Sequence, residues 1–157
     1  SSGTALPDGE LDLTTMKQVL FHEYTHAIVH DLTRGQCPTW LNEGLAEYEG
    51  TRHGRTTFQH LAAALAQERL VPWSQLDGQF STSLPVDQVA LGYQQSHSIV
   101  RYLIERYGFW RIRRILSEAA SGRPIEQVLQ DELHVKLPRL ESYWRTWLAE
   151  FLRGQSS

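Results

Sequence analysis

Two histidines four residues apart, His22 and His26, lie in a run where Met16, Val19, Leu20, Glu23, Ala27 and Ile28 recur at helical spacing. This spacing constrains the chain more than any other feature. Residues i and i+4 share one face of an α-helix, about 6 Å apart along its axis. The reading is a helix from Thr15 to Asp31, opened by Thr15 and Gln18 at capping-box spacing and closed by Gly35 and Pro38.

The rest of the chain also reads as mainly α. A second helix runs from Thr39 to Glu49, with Gly50 as its C-cap, and a third from Thr57 to Arg69. The stretch Leu70–Leu84 reads as irregular, with one short helical turn. Asp87 is the expected N-cap of a long helix ending at Tyr107 and closed by Gly108. Further helices are expected at Phe109–Ala120, Pro124–Leu133 (proline at the first helical position) and Leu137–Leu152. No paired strands stand out; short extended pieces fit only at Leu11–Leu13 or Gln79–Leu84. Polar, Gly- and Pro-containing residues 1–10 read as a linker or cut end. Residues 11–157 read as one domain, a length sufficient for a core of its own.

The segment His22-Glu23-Tyr24-Thr25-His26 is an HExxH pattern. Two imidazoles on one helical face can converge on a single small ion at about 2.0–2.1 Å each. Glu23 is rotated about 100° from His22, so it flanks the ion, where a general base for water must stand. A catalytic zinc takes three protein ligands and keeps one position open. Cys37 is the only cysteine, which excludes a multi-thiolate site. A third histidine on an extended pattern would need Gly and His where the chain has Val29 and Leu32. His30 lies two turns beyond His22, about 12 Å away on a straight helix, and reads as a surface group or as one that braces a ligand from behind. A carboxylate is therefore the natural third ligand. Glu43, on the next helix after a short turn, can face the two histidines. Glu47, one turn further, suits accepting the Nδ1–H of His22 and fixing its tautomer.

Composition narrows the function. The net charge is −3 with neutral histidines, which gives no electrostatic case for nucleic acid or an anionic membrane. The one dense basic cluster, Arg111, Arg113 and Arg114, reads as a solvated helix face. No apolar run approaches the roughly 20 residues of a membrane span, so no membrane insertion is expected. His53, His60 and His134 have no partner at metal spacing and read as surface residues. Trp73, Trp110, Trp144 and Trp147 read as core, and Trp40 as packing behind the ligand helix.

HExxH followed by Trp40-Leu41-Asn42-Glu43-Gly44-Leu45-Ala46-Glu47-Tyr48 resembles the gluzincins, the zinc peptidases that include thermolysin, the aminopeptidase N family and the peptidase MA-like domains. The resemblance covers Leu13–Tyr107 and is closest to the last two groups. It implies a zincin-like fold and one Zn²⁺ per chain, held by His22, His26 and Glu43, with Glu23 as general base. Gly92-Tyr93-Gln94-Gln95-Ser96-His97 resembles the aminopeptidase N helix whose early tyrosine stabilises the tetrahedral intermediate, which implies that role for Tyr93. His97, one turn on, is the second candidate. The implied partner is a peptide or protein substrate.

The chain departs from the family pattern before the motif. Only 21 residues precede His22, and the GxMEN-type substrate motif is absent. The expectation is the helical part of a gluzincin domain, its substrate-edge sheet mostly missing and supplied by an upstream segment. The primary reading is zinc-dependent peptide-bond hydrolysis. The alternative is a zinc-binding but inactive domain used as a scaffold. The compartment is unassigned, with an extracytoplasmic bacterial setting as one option.

Overall fold

The computed structural model describes residues 9–52 and 56–155, with side chains from Leu13 onward. His53 and the first eight residues lie outside the described residues. Seven α-helices and one 3-10 segment follow in order: α1 Gly9–Thr33, α2 Thr39–Thr51, α3 Gln59–Ala66, the 3-10 segment Trp73–Phe80, α4 Val86–Tyr107, α5 Phe109–Ala119, α6 Ile125–Leu133 and α7 Leu137–Gln155. There is no strand among the described residues. The mainly α expectation holds.

α4 is the central helix. Leu91, Ile99, Val100 and Leu103 are buried along it, against α2, α3, the 3-10 segment, α5 and α7. Leu41, Leu61, Leu76, Ile112, Ile115, Leu140, Trp144 and Leu148 complete one contiguous core. Most polar groups buried along α4 are tied to backbone or core side chains. Gln95 accepts from Val71 N–H at 3.0 Å and donates to Val71 O at 2.6 Å, holding the loop before the 3-10 segment as a paired strand would. Ser98 Oγ donates to Gln95 O at 2.7 Å and accepts from Trp144 Nε1–H at 3.1 Å. Gln94 Oε1 accepts from Leu61 N–H in the first turn of α3, at 3.0 Å.

Several helix boundaries differ from the sequence expectation. α1 starts at Gly9, so Thr15 is interior rather than a cap, and Leu11–Leu13 is helical. Pro85, not Asp87, is the N-cap of α4, and Asp87 lies in the first turn, where a carboxylate still favours the helix dipole. Pro124 is the N-cap of α6 rather than its first residue. The 3-10 segment fills most of the stretch expected to be irregular, and residues 81–85 after it are turn and coil. Trp40, Trp73 and Trp144 are buried and Trp147 packs against the core, but Trp110 is 61% exposed. It sits beside Arg111 and Arg114 on the open face of α5 instead of in the core.

Candidate metal centre

The site is built by α1 and α2, joined through residues 34–38. Arg34 and Gly35 both take positive φ, 53° and 75°, and Gly35 N–H returns to His30 O at 3.0 Å. This reverses the chain within one short turn. α2 then begins after Pro38, which has no side-chain cap. Asp77 of the 3-10 segment replaces it, its Oδ1 accepting from Trp40 N–H at 2.9 Å.

Two glycines set how close the helices come. Gly50, expected as a C-cap, lies inside α2. A Cβ there would stand 3.1 Å from Gln18 O, so α1 and α2 are nearly in backbone contact. A Cβ on Gly44 would stand 2.6 Å from Ser96 O and 2.7 Å from Val100 Cγ2. The residue after Glu43 must therefore lack a side chain for α2 to seat on α4.

With the helices so placed, three acceptor atoms converge. His22 Nε2 and His26 Nε2 are 3.1 Å apart, and Glu43 Oε2 is 3.7 Å from the first and 3.4 Å from the second. The outer nitrogens are both engaged. His26 Nδ1–H donates to Asn42 Oδ1 at 2.8 Å, and His22 Nδ1–H to Glu47 Oε2 at 3.2 Å. Those bonds put the lone pairs of both Nε2 atoms toward each other and toward a carboxylate. Glu43 Oε2 is buried with no hydrogen-bond partner. Three lone pairs facing one point, one of them a buried orphan, suit a cation. The spacing suits one. Around a tetrahedral ion at about 2.0–2.1 Å, ligand atoms stand roughly 3.3–3.4 Å apart. The residues present therefore fit a zinc ion, and they form the one such metal-ligand cluster among the described residues.

The remaining candidates take distinct places. Glu23 is exposed on α1 beside His22, where it lines a cavity of about 300 Å³ with Glu47 and Thr51. Burial holds the Glu47 carboxyl above its ordinary range, against the pull of His22 and with the help of Glu43. Tyr93, near the start of α4, is half-buried with its ring edge-on to Phe80 at 5.0 Å. Burial, and then the charges of Glu43 and Glu47, push its phenol up.

His97 is not brought to the open side. It is 1% exposed, enclosed by Phe58 at 5.1 Å and Tyr48 at 6.3 Å, with Nε2 3.4 Å from Thr51 Oγ1. Burial and then Arg101 push it down to about 3, so it is a neutral packing group. Asn42 is the residue the sequence reading passed over. Its signal was its position: it directly precedes Glu43 on a helix already assigned to the site. His30 is exposed, as expected. Cys37 has its thiol pushed up to about 12 by burial and Asp77, so it stays an unreactive packing group.

The helix pair thus carries HExxH on one member and a facing glutamate on the other, a set of residues that could hold a metal ion. A family model of the peptidase MA superfamily matches residues 9–150, and the chain belongs to that superfamily. Comparison with curated proteins and with solved structures yields no match in either. None of the described helices is long and apolar enough to cross a membrane.

Proposed function

We propose that this domain hydrolyses peptide bonds with a zinc ion held by His22, His26 and Glu43. The observation that carries the reading is the orphaned, buried Glu43 Oε2 aimed at two imidazole lone pairs, with Glu23 exposed beside them. Zinc there would supply a Lewis acid that makes water nucleophilic near neutral pH and polarises a carbonyl. The chain's own residues do the rest. Asn42 and Glu47 hold the two imidazoles in one tautomer, so that both Nε2 atoms stay available as ligands. Glu23 takes the proton of the attacking water and later hands it to the leaving amine. Tyr93, kept protonated by its surroundings, donates its O–H to the oxyanion that develops on the scissile carbonyl. His97 serves the packing of α2 against α4 and not the chemistry.

The test is Glu23→Gln, assayed on a mixed peptide library by mass spectrometry with metal content measured in parallel. The variant keeps zinc and loses about 10²–10⁴-fold in turnover. Equal activity in the variant would remove Glu23 from the mechanism. A wild-type chain that holds zinc and cleaves nothing would favour the scaffold alternative.

A further inference from the structure

The whole-chain charge of −3 is unevenly spread. Residues 1–100, which build the metal site, carry 5 Lys and Arg against 11 Asp and Glu, whereas residues 101–157 carry 10 against 7. Part of that excess collects in a groove of about 1060 Å³ between the end of α4 and the turn from α6 to α7. Arg106 enters from α4, Lys136 from the residue before α7, and Arg139 from the first turn of α7. All three are exposed, and no Asp or Glu lines the groove. None of the three is in an ion pair among the described residues. The acids just before the turn are engaged elsewhere, Asp131 with Arg123 and Glu132 with Arg114. Cations gathered without counter-charges repel one another. Lys136 and Arg139 also oppose the dipole at the start of α7, whose first turn holds no acid. An anion in the groove relieves both penalties.

The walls indicate which anion. The first-turn amides of α7 are not free to cradle a compact dianion such as phosphate. Leu137 N–H goes to Gln130 Oε1 at 2.8 Å, Pro138 has none, and the N–H groups of Arg139 and Leu140 both return to Lys136 O at 3.0 Å. Recognition is left to long side chains entering from two helices, which suit several separate carboxylates. Between the cations the groove is apolar. Tyr143 is 47% exposed, the Arg106 guanidinium lies 5.3 Å from the Tyr107 ring centre, and Val135 and Pro138 add aliphatic surface. Such walls accept an aliphatic or aromatic side chain. A nucleic-acid backbone would run on past the groove, over a chain whose first 100 residues are strongly acidic. A short acidic peptide ends within it.

We propose that this groove binds an acidic polypeptide segment, with carboxylates on Arg106, Lys136 and Arg139 and an apolar side chain against Tyr107 and Tyr143. Tyr107 lies 14 residues past Tyr93 on α4. That is about 21 Å along the helix axis, so the groove is separate from the metal site and the inference does not rest on catalysis.

The experiment is fluorescence anisotropy of a labelled peptide, Glu-Asp-Glu-Leu-Glu-Asp-Glu, titrated with the whole chain at low salt. Mass spectrometry checks that the peptide stays intact, and circular dichroism that each variant is folded. The wild type binds, and its affinity falls as salt is raised. Arg106→Glu and Arg139→Glu each weaken binding by about fivefold or more. Arg145→Glu makes the same change of net charge at an exposed position of α7 outside the groove, and it leaves binding within about twofold of wild type. Tyr143→Ala weakens binding by about threefold or more with the salt dependence unchanged. A folded wild type that does not bind the peptide at low salt overturns the proposal. An equal loss in Arg145→Glu, or no loss in the two groove reversals, overturns it as well, because the effect is then one of net charge or of another surface. An oligonucleotide of equal charge that binds more tightly than the peptide also overturns it and assigns the groove to a phosphate backbone.

Discussion

His97 makes the stability of this domain sensitive to mild acid, independently of any activity. The group is enclosed, and burial pushes its protonation down from the ordinary 6.5 to about 3. In the unfolded chain it titrates near 6.5. Between those values the unfolded state binds a proton that the folded state refuses, so folding weakens as pH falls. Above 6.5 neither state is protonated and the effect vanishes. It grows as pH drops through the window and levels off near 3. At pH 5 the deficit is about 1.5 pH units, or roughly 2 kcal/mol at 1.36 kcal/mol per unit. Urea unfolding at pH 7 and pH 5, with chelator present throughout, measures it in wild type and in His97→Gln. Gln cannot titrate and is of similar size. The wild type loses about 2 kcal/mol more than the variant between the two pH values. Equal losses in both proteins would mean that His97 accepts a proton in the folded state, and that its enclosure by Phe58 and Tyr48 is wrong.

Other expectations concern the site directly. Asn42→Ala and Glu47→Ala each weaken zinc affinity by about 10–100-fold without removing a ligand, as read by competition with a chromophoric chelator. Unchanged affinity would mean that the imidazoles are oriented by something else. Gly44→Ala destabilises the fold by about 1–3 kcal/mol, because its methyl meets the Ser96 carbonyl and no flexible group can yield. A urea midpoint equal to wild type would show that α2 sits further from α4. Tyr93→Phe keeps zinc and lowers kcat by about 10²–10³-fold with little change in KM. An unchanged kcat would assign the oxyanion to other donors.

How much of this was legible in the sequence depended on how local each interaction is. His22, Glu23 and His26 lie within five residues of one helix, and helical geometry alone brings the two histidines to a common point. Glu43 needed one further step, a short turn that returns the next helix alongside the first. The contacts that complete the site are not local. Asn42 meets His26 across two helices, Asp77 caps α2 from 37 residues away, and Gly44 is dictated by the Ser96 backbone. His97 was ambiguous for the same reason. One turn beyond Tyr93 it shares a helix with it, and only the packing of Phe58 and Tyr48 reveals that it is sealed in. Helix ends were the weakest point. Thr15 with Gln18 has capping-box spacing, but spacing alone does not show whether the preceding turns are helical. Trp110 shows the limit of composition, because a large aromatic at a helix start gives no sign of which side it faces.

The most direct test of the metal centre is elemental analysis of the purified protein, wild type beside Glu43→Ala, after equilibration with zinc and removal of the excess. The account predicts about one zinc per wild-type chain and little or none in the variant, with both chains folded. A folded wild type that takes up no zinc, or a Glu43→Ala variant that holds it as tightly, would contradict the ligand set on which the rest depends.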